Sequence, residues 1–364
     1  MKNQKRLLSI DVLRGMTIFF MIIVNTPGSW EYVYAPLHHA KWNGWTPTDL
    51  VFPFFVFIVG LAMAFSFRKY AEDKSQLVRK IVWRTVMIFL VGLLLNWYPF
   101  FNKSIADLRI FGVLQRIALA YGFGALLCAF LNRRALLISL VVILLGYWGI
   151  LLSTGVEDPL SLENNLVRMI DLKLFGENHI YHGYGIPFDP EGLLSTLPTV
   201  GTVILGFLTG RLIQQITENH QKIKLLVLIA PGLIVLAYLW QFLGFPINKP
   251  IWSSSYVLLT GGLAMLLFAL LLWLIDVREY TNWTYVFRVF GMNPLISYAL
   301  SGLIIKTFSL VRIGDQSLYG WLYSHFFQSA FGNYFGSFMQ ALTYTMFIWL
   351  FAWQLYRRNT IIKL

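Results

Sequence analysis

The sequence holds little cysteine and little charge, and each shortage excludes a class of protein. Its 364 residues include a single cysteine, Cys128, inside an apolar run, which excludes an intrachain disulfide and a cysteine-based metal site. Charged residues make up only 13% of the chain, hydrophobic residues make up 57%, and the mean hydropathy is +0.63. These values exclude an ordinary soluble domain and predict a polytopic membrane protein.

Acidic residues are also scarce, with 17 against 29 basic residues, so the net charge is +12. A strong positive charge is one signature of nucleic-acid binding. Here the basic residues form short clusters between apolar runs, and no basic stripe is interleaved with stacking aromatics, so no nucleic-acid partner is expected. The clusters instead indicate how the chain is oriented in the membrane. The lipid bilayer is an expected partner.

About ten apolar segments are long enough to cross a bilayer core of roughly 30 Å. Segments this long satisfy their own backbone groups as helices, and strand-length alternation is absent. The predicted spans are residues 10–26, 48–67, 81–97, 110–131, 135–152, 193–213, 225–242, 257–275, 290–305 and 338–356. The aromatic stretch 318–335 is either an interfacial helix or a further short span. We predict an all-α, polytopic helical bundle in which residues 1–364 form one transmembrane domain without convincing repeats.

The basic residues fall in alternating loops, and loops retained in the cytoplasm are enriched in Lys and Arg. The basic set is Lys2, Lys5, Arg6, Arg68, Lys69, Lys74, Arg79, Lys80, Arg84, Arg133, Arg134, Arg211, Lys222, Lys224, Arg278, Arg288, Arg357, Arg358 and Lys363. The opposite loops hold few basic residues, for example Lys41, Lys103, Lys173 and Lys249. Both termini are therefore predicted to be cytoplasmic, with the loop around His39 on the far side.

The basic start of the chain precedes an apolar run, as it does in a signal peptide. That interpretation is rejected, because the run carries Asp11 and Arg14 and no small-residue cleavage site follows it.

The first predicted helix carries a polar face. At about 100° per residue, Asp11, Arg14 and Asn25 fall within roughly 60° of one another, and the first and last are about 21 Å apart along the axis. Polar residues inside a span face a cavity or a partner. Asp11 and Arg14, three residues apart, could simply pair with each other. That pairing does not explain Asn25, which lies near the same end as His39.

The stretch 37–60, LHHAKWNGWTPTDLVFPFFVFIVG, places polar chemistry against a long apolar run. His39 would therefore sit at a membrane boundary, between solvent and any buried ligand. Thr46, Pro47, Thr48 and Asp49 have the form of a capping box. Asp49 either only caps the helix or also orients the imidazole of His39.

Two arginines are predicted on one face of the fourth helix, Arg109 and Arg116, with Gln115 beside them. They would bind either an anion or a structural carboxylate such as Asp189 or Glu191.

The ninth predicted helix contains Asn293 and Pro294. A proline there frees a carbonyl one turn back, which protein, water or ligand must satisfy. The alternative is a plain kink. His179 and His182 have loose spacing in a long loop, so no metal site is expected.

Short blocks spread over nearly the whole chain resemble the heparan-α-glucosaminide N-acetyltransferase family. They are S-I-D-V-L-R-G at 9–15, V-N at 24–25, H-A-K-W-N-G at 39–44, D-L-V-F-P-F-F-V-F at 49–57, G-V-L-Q-R at 112–116, F-D-P-E-G at 188–192, N-K-P-I-W-S-S-S-Y-V at 248–257 and G-M-N at 291–293. We expect no counterpart of the large N-terminal luminal domain of the animal enzyme. The chain thus resembles the bacterial members, and the expected location is a bacterial inner membrane with the His39 loop in the periplasm.

The resemblance implies transfer of an acetyl group from cytoplasmic acetyl-CoA to the amine of a glucosamine-type sugar or glycan on the far side. The active-site histidine of that family corresponds to His39, and its asparagine near the thioester corresponds to Asn25. His39 would act as the general base, and an amide such as Asn25 would steady the thioester oxygen. We assign catalysis to His39, Asn25 and Asp49, and binding of the acetyl-CoA donor to Asp11, Arg14, Gln115, Arg116 and Asn293.

Two other classes of function stay open. A transporter for amino sugars would also need a polar path and broken helices, although transporters often show repeated halves. A structural or lipid-binding protein would not need His39 and Asn25 at the same mouth. We favour direct transfer over an acetyl-histidine intermediate, and the sequence allows a homodimer.

Overall fold

The computed structural model describes residues 7–70, 72–101 and 104–362, and its regular structure is almost entirely helical. The α-helices are α1 (Leu8–Asn25), α2 (Pro47–Ser66), α3 (Lys74–Trp97), α4 (Val113–Phe130), α5 (Arg133–Leu152), α6 (Leu166–Phe175), α7 (Thr196–Gln214), α8 (Asn219–Phe242), α9 (Ser254–Leu271), α10 (Tyr285–Met292), α11 (Pro294–Leu310), α12 (Leu318–Leu322), α13 (Gln328–Phe331) and α14 (Asn333–Arg357). The two described strands, β1 (Arg312–Ile313) and β2 (Gln316–Ser317), pair antiparallel. The all-α prediction is confirmed.

Short turns of 3-10 or π helix connect several of these elements. They are Ala35–Leu37, Phe67–Tyr70, Ile105–Asp107, Glu177–His179, Leu272–Val277, Asn282–Thr284 and Tyr323–Phe327.

Eight helices of the described chain are long and apolar enough to cross a membrane. These spans are Leu8–Asn25, Pro47–Tyr70, Val113–Phe130, Arg133–Leu152, Thr196–Gln214, Asn219–Phe242, Ser254–Val277 and Asn333–Arg357. The bent pair α10 and α11 makes a ninth if it counts as one span. Each of the ten predicted segments overlaps a helix, the third of them α3 and the ninth both α10 and α11. A polytopic bundle is thus confirmed, with eight or nine spans by this measure instead of about ten.

The ninth predicted span is broken at Asn293 and Pro294, where α10 and α11 meet at 78°. Proline lacks an amide hydrogen and disfavours the helical conformation of the residue before it. Asn293 accordingly has φ −131° and ψ 59°. Its amide bonds the C-terminal segment, donating to the Thr360 carbonyl at 2.9 Å and accepting from the Ile362 amide at 2.9 Å. The structure therefore has a sharp break at this proline, and the Gly291 carbonyl before it accepts from Nε of Arg14 at 2.8 Å, so both alternatives hold.

The uncertain stretch 318–335 contains only α12, a π-helical turn and α13 before α14 begins. From Leu318 to Phe331 these turns extend at most about 21 Å at 1.5 Å per residue. That is short of a bilayer core, so this stretch is not a further span.

Glycines let the central helices approach closely. A Cβ atom on Gly60 of α2 would lie 2.0 Å from the Val203 carbonyl oxygen of α7, and one on Gly206 of α7 would lie 2.0 Å from the Phe57 carbonyl oxygen. Small residues at membrane helix contacts allow backbones to pack at short range. The α2–α7 pair forms the centre, whereas α5 and α8 are peripheral, with 28% and 17% of their span residues buried.

Helix direction defines two ends of the bundle. Because α1 ends at Asn25 and α2 begins at Pro47, the loop between them lies at one end, which we call the His39 end. The other end holds the start of α1 and the residues that follow α2. The predicted basic residues Lys2, Lys5, Arg6, Lys103 and Lys363 lie outside the described residues.

Candidate active site

His39 and Asp49 form a close pair at the His39 end. Nδ1 of His39 lies 2.6 Å from Oδ1 of Asp49. The histidine side chain is 43% exposed, whereas that of the aspartate is 1% exposed. A buried carboxylate beside Nδ1 selects the tautomer that carries its proton on Nδ1. The other ring nitrogen, Nε2, is then available as a proton acceptor.

Asp49 uses its two carboxylate oxygens for different purposes. Oδ2 accepts from the backbone amides of Thr46 at 3.1 Å and Ala40 at 3.0 Å, and so completes the predicted capping box at the start of α2. Oδ1 faces His39. The two alternatives left open by the sequence therefore hold together, because the residue that caps the helix also orients the imidazole.

Lys249 is a third member of this cluster, and sequence reasoning missed it. Its Nζ lies 3.1 Å from Oδ1 of Asp49 and 2.9 Å from Nδ1 of His39. Because Nδ1 of His39 carries a proton and donates it in the hydrogen bond to Asp49, it cannot also accept from Lys249. The ammonium of Lys249 therefore donates to the carboxylate, and its approach to the ring is not a hydrogen bond. Burial lowers the pKa of Lys249, while Asp49 acts in the opposite direction. The only sequence signal was a lysine on a side with few basic residues.

The loop that carries Lys249, between α8 and α9, is tied directly to the His39 loop. Asn248 donates through Nδ2 to Oδ1 of Asn43 at 3.0 Å, and the Gly44 amide donates to the Ile247 carbonyl at 2.7 Å. Tyr256, in the first turn of α9, donates its hydroxyl to the Asp49 backbone carbonyl. These bonds fix the position of Lys249 relative to α2.

Asn25, predicted to lie near the thioester, is the last residue of α1 and is exposed. Its Nδ2 donates to the Met21 carbonyl at 2.7 Å. The structure places it at the same end as His39, but no described hydrogen bond joins the two side chains.

Asp11 and Arg14 pair with each other at 3.0 Å at the opposite end. Nε of Arg14 also donates to the Gly291 carbonyl at 2.8 Å, which joins α1 to α10. A cavity of about 310 Å³ lies beside Asp11 and is also lined by Arg288 and Tyr356. The structure thus has the pairing of Asp11 with Arg14 that the sequence left open as an alternative to a ligand site. Arg288 is the basic residue that lines the adjacent cavity.

Gln115 and Arg116 are both buried within α4. Nη2 of Arg116 donates to the Gly192 carbonyl at 3.2 Å and to the Ser195 hydroxyl, and its guanidinium lies 5.2 Å from the Trp252 ring centroid. Nε and Nη1 of Arg116 and Nε2 of Gln115 have no hydrogen-bond partner among the described residues. Buried donors of this kind normally bind a partner, so both positions are suited to a ligand or a water molecule.

Arg109 was predicted on the fourth helix, and that placement is wrong, because α4 begins at Val113. Asn96 holds the preceding segment outside the helix by donating to the Arg109 and Phe111 carbonyls at 3.0 and 2.8 Å. Arg109 binds Asp189 through two bonds of 2.9 and 2.7 Å and Glu191 at 2.6 Å. Burial acts to lower its pKa, but these two carboxylates raise it above the usual value. The sequence left open whether this arginine binds an anion or a structural carboxylate, and Arg109 has the structural carboxylates.

The histidines of the long far-side loop have separate partners. His179 Nδ1 lies 2.7 Å from the Leu108 carbonyl oxygen, and His182 Nε2 lies 3.9 Å from a Glu177 oxygen. Among residues 7–70, 72–101 and 104–362, no three His, Cys, Asp or Glu side chains form a group that could hold a metal ion.

Comparison with known proteins supplies independent information. Residues 6–239 match a family model described as heparan-alpha-glucosaminide N-acetyltransferase, catalytic. The chain is 29% identical over 351 residues to heparan-alpha-glucosaminide N-acetyltransferase from Homo sapiens, and 28% identical over 358 residues to that from Mus musculus. These alignments cover 80% and 81% of this chain but only 52% and 53% of the relatives. The chain therefore spans about half the length of the curated relatives it matches.

Proposed function

Because the chain belongs to the heparan-alpha-glucosaminide N-acetyltransferase family, we propose that it is an integral-membrane enzyme that transfers an acetyl group from acetyl-CoA to the amine of a glucosamine-type sugar. One observation carries the proposal to this chain. A half-exposed His39 is held through Nδ1 by the buried carboxylate of Asp49, as a general base is held in acyl transfer.

The reaction needs one nucleophile, one base and one oxyanion donor. The sugar amine attacks the thioester carbonyl carbon, a carbon–nitrogen bond forms, and the carbon–sulfur bond breaks to release the CoA thiolate. Nε2 of His39 accepts the proton that the attacking nitrogen loses, and Asp49 stabilises the resulting imidazolium. The proton then returns to the thiolate or to solvent. The exposed amide of Asn25 would donate to the thioester oxygen.

Lys249 acts in this scheme as a positioning residue. Its Nζ lies on the Nδ1 side of His39, 2.9 Å from that atom, and therefore away from the nitrogen that faces the substrate. Its ammonium forms an ion pair with Asp49 and holds the carboxylate in the orientation needed for the hydrogen bond to His39.

The donor is proposed to extend along α1, which is about 27 Å long at 1.5 Å per residue. The cavity lined by Asp11 and Arg288 would take its nucleotide, and its thioester would lie at the His39 end. Donor contacts by Arg14, Gln115, Arg116 and Asn293 belong to the same proposal. The unpartnered donors of Gln115 and Arg116, in the first turn of α4, support a ligand at that position.

The proposed orientation has both termini in the cytoplasm and the His39 loop in the periplasm of a bacterial inner membrane. Its support is the clustering of basic residues such as Arg68, Lys74 and Arg211 at the end opposite His39, as expected for cytoplasmic loops.

The test uses sealed vesicles in which the end opposite His39 faces outward. Acetyl-CoA is added outside and glucosamine is trapped inside, and N-acetylglucosamine should accumulate inside while free CoA stays outside. Movement of sugar without consumption of acetyl-CoA would instead identify a transporter. Labelled acetyl-CoA without acceptor should leave no stoichiometric label on His39, because we propose direct transfer.

A matched pair of histidines controls this experiment. His39→Ala should lower kcat by about 10²- to 10⁴-fold, the usual contribution of a general base, with the affinity for acetyl-CoA within a few fold. His38→Ala should stay close to wild type, since its Nε2 lies 3.0 Å from the Val33 carbonyl oxygen and no described hydrogen bond joins its side chain to Asp49. An inactive His38 variant with an active His39 variant would refute the assignment.

A further inference from the structure

A second cavity, of about 520 Å³, lies at the end of the bundle opposite His39. It is formed where α2, α4 and α7 end and where α3 and α5 begin. It shares no lining residue with the cavity beside Asp11. We call it the basic cavity, because its described lining includes Arg68, Lys74, Arg133 and Arg211 and no acidic residue.

The four basic residues come from four different parts of the chain and converge on one hollow. Like charges that face the same small volume repel one another and destabilise a compact arrangement. An anion in the hollow would interact favourably with all four. The convergence goes beyond the general enrichment of basic residues in cytoplasmic loops, since neighbouring Lys69 and Arg134 do not line the cavity.

The floor of the basic cavity is apolar. Leu77, Cys128, Leu136, Phe207 and Leu208 line it and are each at least 90% buried. A ligand that fills the cavity must therefore combine a negatively charged part with an apolar part.

The outer surfaces of the two helices that begin at the cavity, α3 and α5, are apolar as well. On α3, Val82 and Trp83 are 50% and 61% exposed, and on α5, Ile138 and Val142 are 63% and 62% exposed. In a membrane-spanning bundle such surfaces face acyl chains. Both helices that begin at the cavity therefore present apolar side chains to the bilayer on their outer faces.

From this arrangement we propose that the basic cavity binds the headgroup of an anionic phospholipid. Its phosphate lies among the four basic side chains, and the start of an acyl chain lies against the apolar floor. Basic pockets between membrane helices are suited to such headgroups. The apolar floor beneath the four basic residues favours a lipid over a free phosphate, which has no apolar part to place there.

Native mass spectrometry of the purified protein in a neutral detergent tests the proposal. Dioleoylphosphatidylglycerol is titrated in, with dioleoylphosphatidylcholine as the neutral comparison. The double variant Arg68→Gln/Arg133→Gln should bind phosphatidylglycerol about thirtyfold more weakly, from roughly fivefold for each basic residue. The control Lys69→Gln/Arg134→Gln removes the same charge from the same two segments and should stay within twofold of wild type.

Three results would overturn the proposal. They are equal weakening by the two double variants, equal binding of the neutral lipid, and displacement of the lipid by adenosine 3′,5′-bisphosphate, which would make a nucleotide the ligand. A second double variant, Lys74→Gln/Arg211→Gln, should reproduce the weakening. Melting temperatures measured without added lipid show that each variant is folded.

Discussion

The Asp49–Lys249 pair allows a prediction that separates stability from activity. In Asp49→Asn the ammonium of Lys249 loses its carboxylate, and the start of α2 loses its capping box. In Lys249→Met the carboxylate keeps three other donors, from Ala40, Thr46 and His39. The aspartate variant should therefore be the less stable of the two, and removing both charges should restore part of the loss.

The magnitude follows from the geometry. Two unit charges 3.1 Å apart attract by about 5 kcal/mol at an effective dielectric constant near 20. Desolvation of the buried carboxylate offsets much of this, and the lysine side chain is 21% exposed, so solvent screens it further. We expect about 3 kcal/mol of destabilisation from Asp49→Asn, about 1 kcal/mol from Lys249→Met, and a coupling energy of about 1 to 3 kcal/mol.

The assay is a double-mutant cycle on the free energy of unfolding, measured by titration with sodium dodecyl sulfate in mixed micelles. Activity is measured on the same four proteins. Lys249→Met should rescue the stability of Asp49→Asn but not its acetyl transfer, because the tautomer of His39 is not restored. A coupling energy below about 1 kcal/mol, at which the double variant is no more stable than Asp49→Asn, or recovery of activity in the double variant, would refute the reasoning.

Two further predictions concern stability. Burial raises the pKa of Asp171 to about 7, above about 4 in the unfolded chain. The stability that protonated Asp171 contributes is therefore complete below pH 4 and is lost as the pH rises to 7. The free energy of unfolding should fall by up to about 4 kcal/mol over this range. Asp171→Asn should flatten this dependence in melting curves taken from pH 4 to 8. Gly60→Ala should destabilise the protein by about 1 to 3 kcal/mol, since its Cβ would meet the α7 backbone at 2.0 Å. The control Gly146→Ala, whose Cβ meets nothing within 4 Å, should be neutral or stabilising. An equal loss of stability in both variants would contradict the close contact.

Much of the fold was predictable, because apolar length alone sets where helices cross a bilayer. Each of the ten predicted segments overlaps a helix. The errors arose where a side chain competes with the backbone. Asn96 holds the segment of Arg109 outside α4 by binding two of its carbonyls. At the ninth span, Pro294 stops the helix, and the amide of Asn293 is taken up by residues near the C-terminus. The proline was visible in the sequence, but the 78° angle was not.

The candidate site divides in the same way. His39 and Asp49 are ten residues apart, and the capping-box pattern by itself placed the carboxylate beside the histidine loop. Lys249 could not be placed, because its contact depends on how the loop after α8 folds back onto the loop after α1. Asn25 was placed at the correct end, yet its side chain bonds its own helix. Local spacing thus predicted one pair, and the long-range packing completed it.

The Asp49 carboxylate also implies an order of assembly during synthesis. Its contacts with His39, Ala40 and Thr46 join residues at most ten positions apart, so they can form as soon as α2 has entered the membrane. Lys249 is made 200 residues later, after α8, and the chain emerges at about 5 to 20 residues per second. For at least about ten seconds, the nascent protein therefore carries the histidine–aspartate pair without its lysine, and the last ion pair of the site closes only when the eighth helix has been inserted.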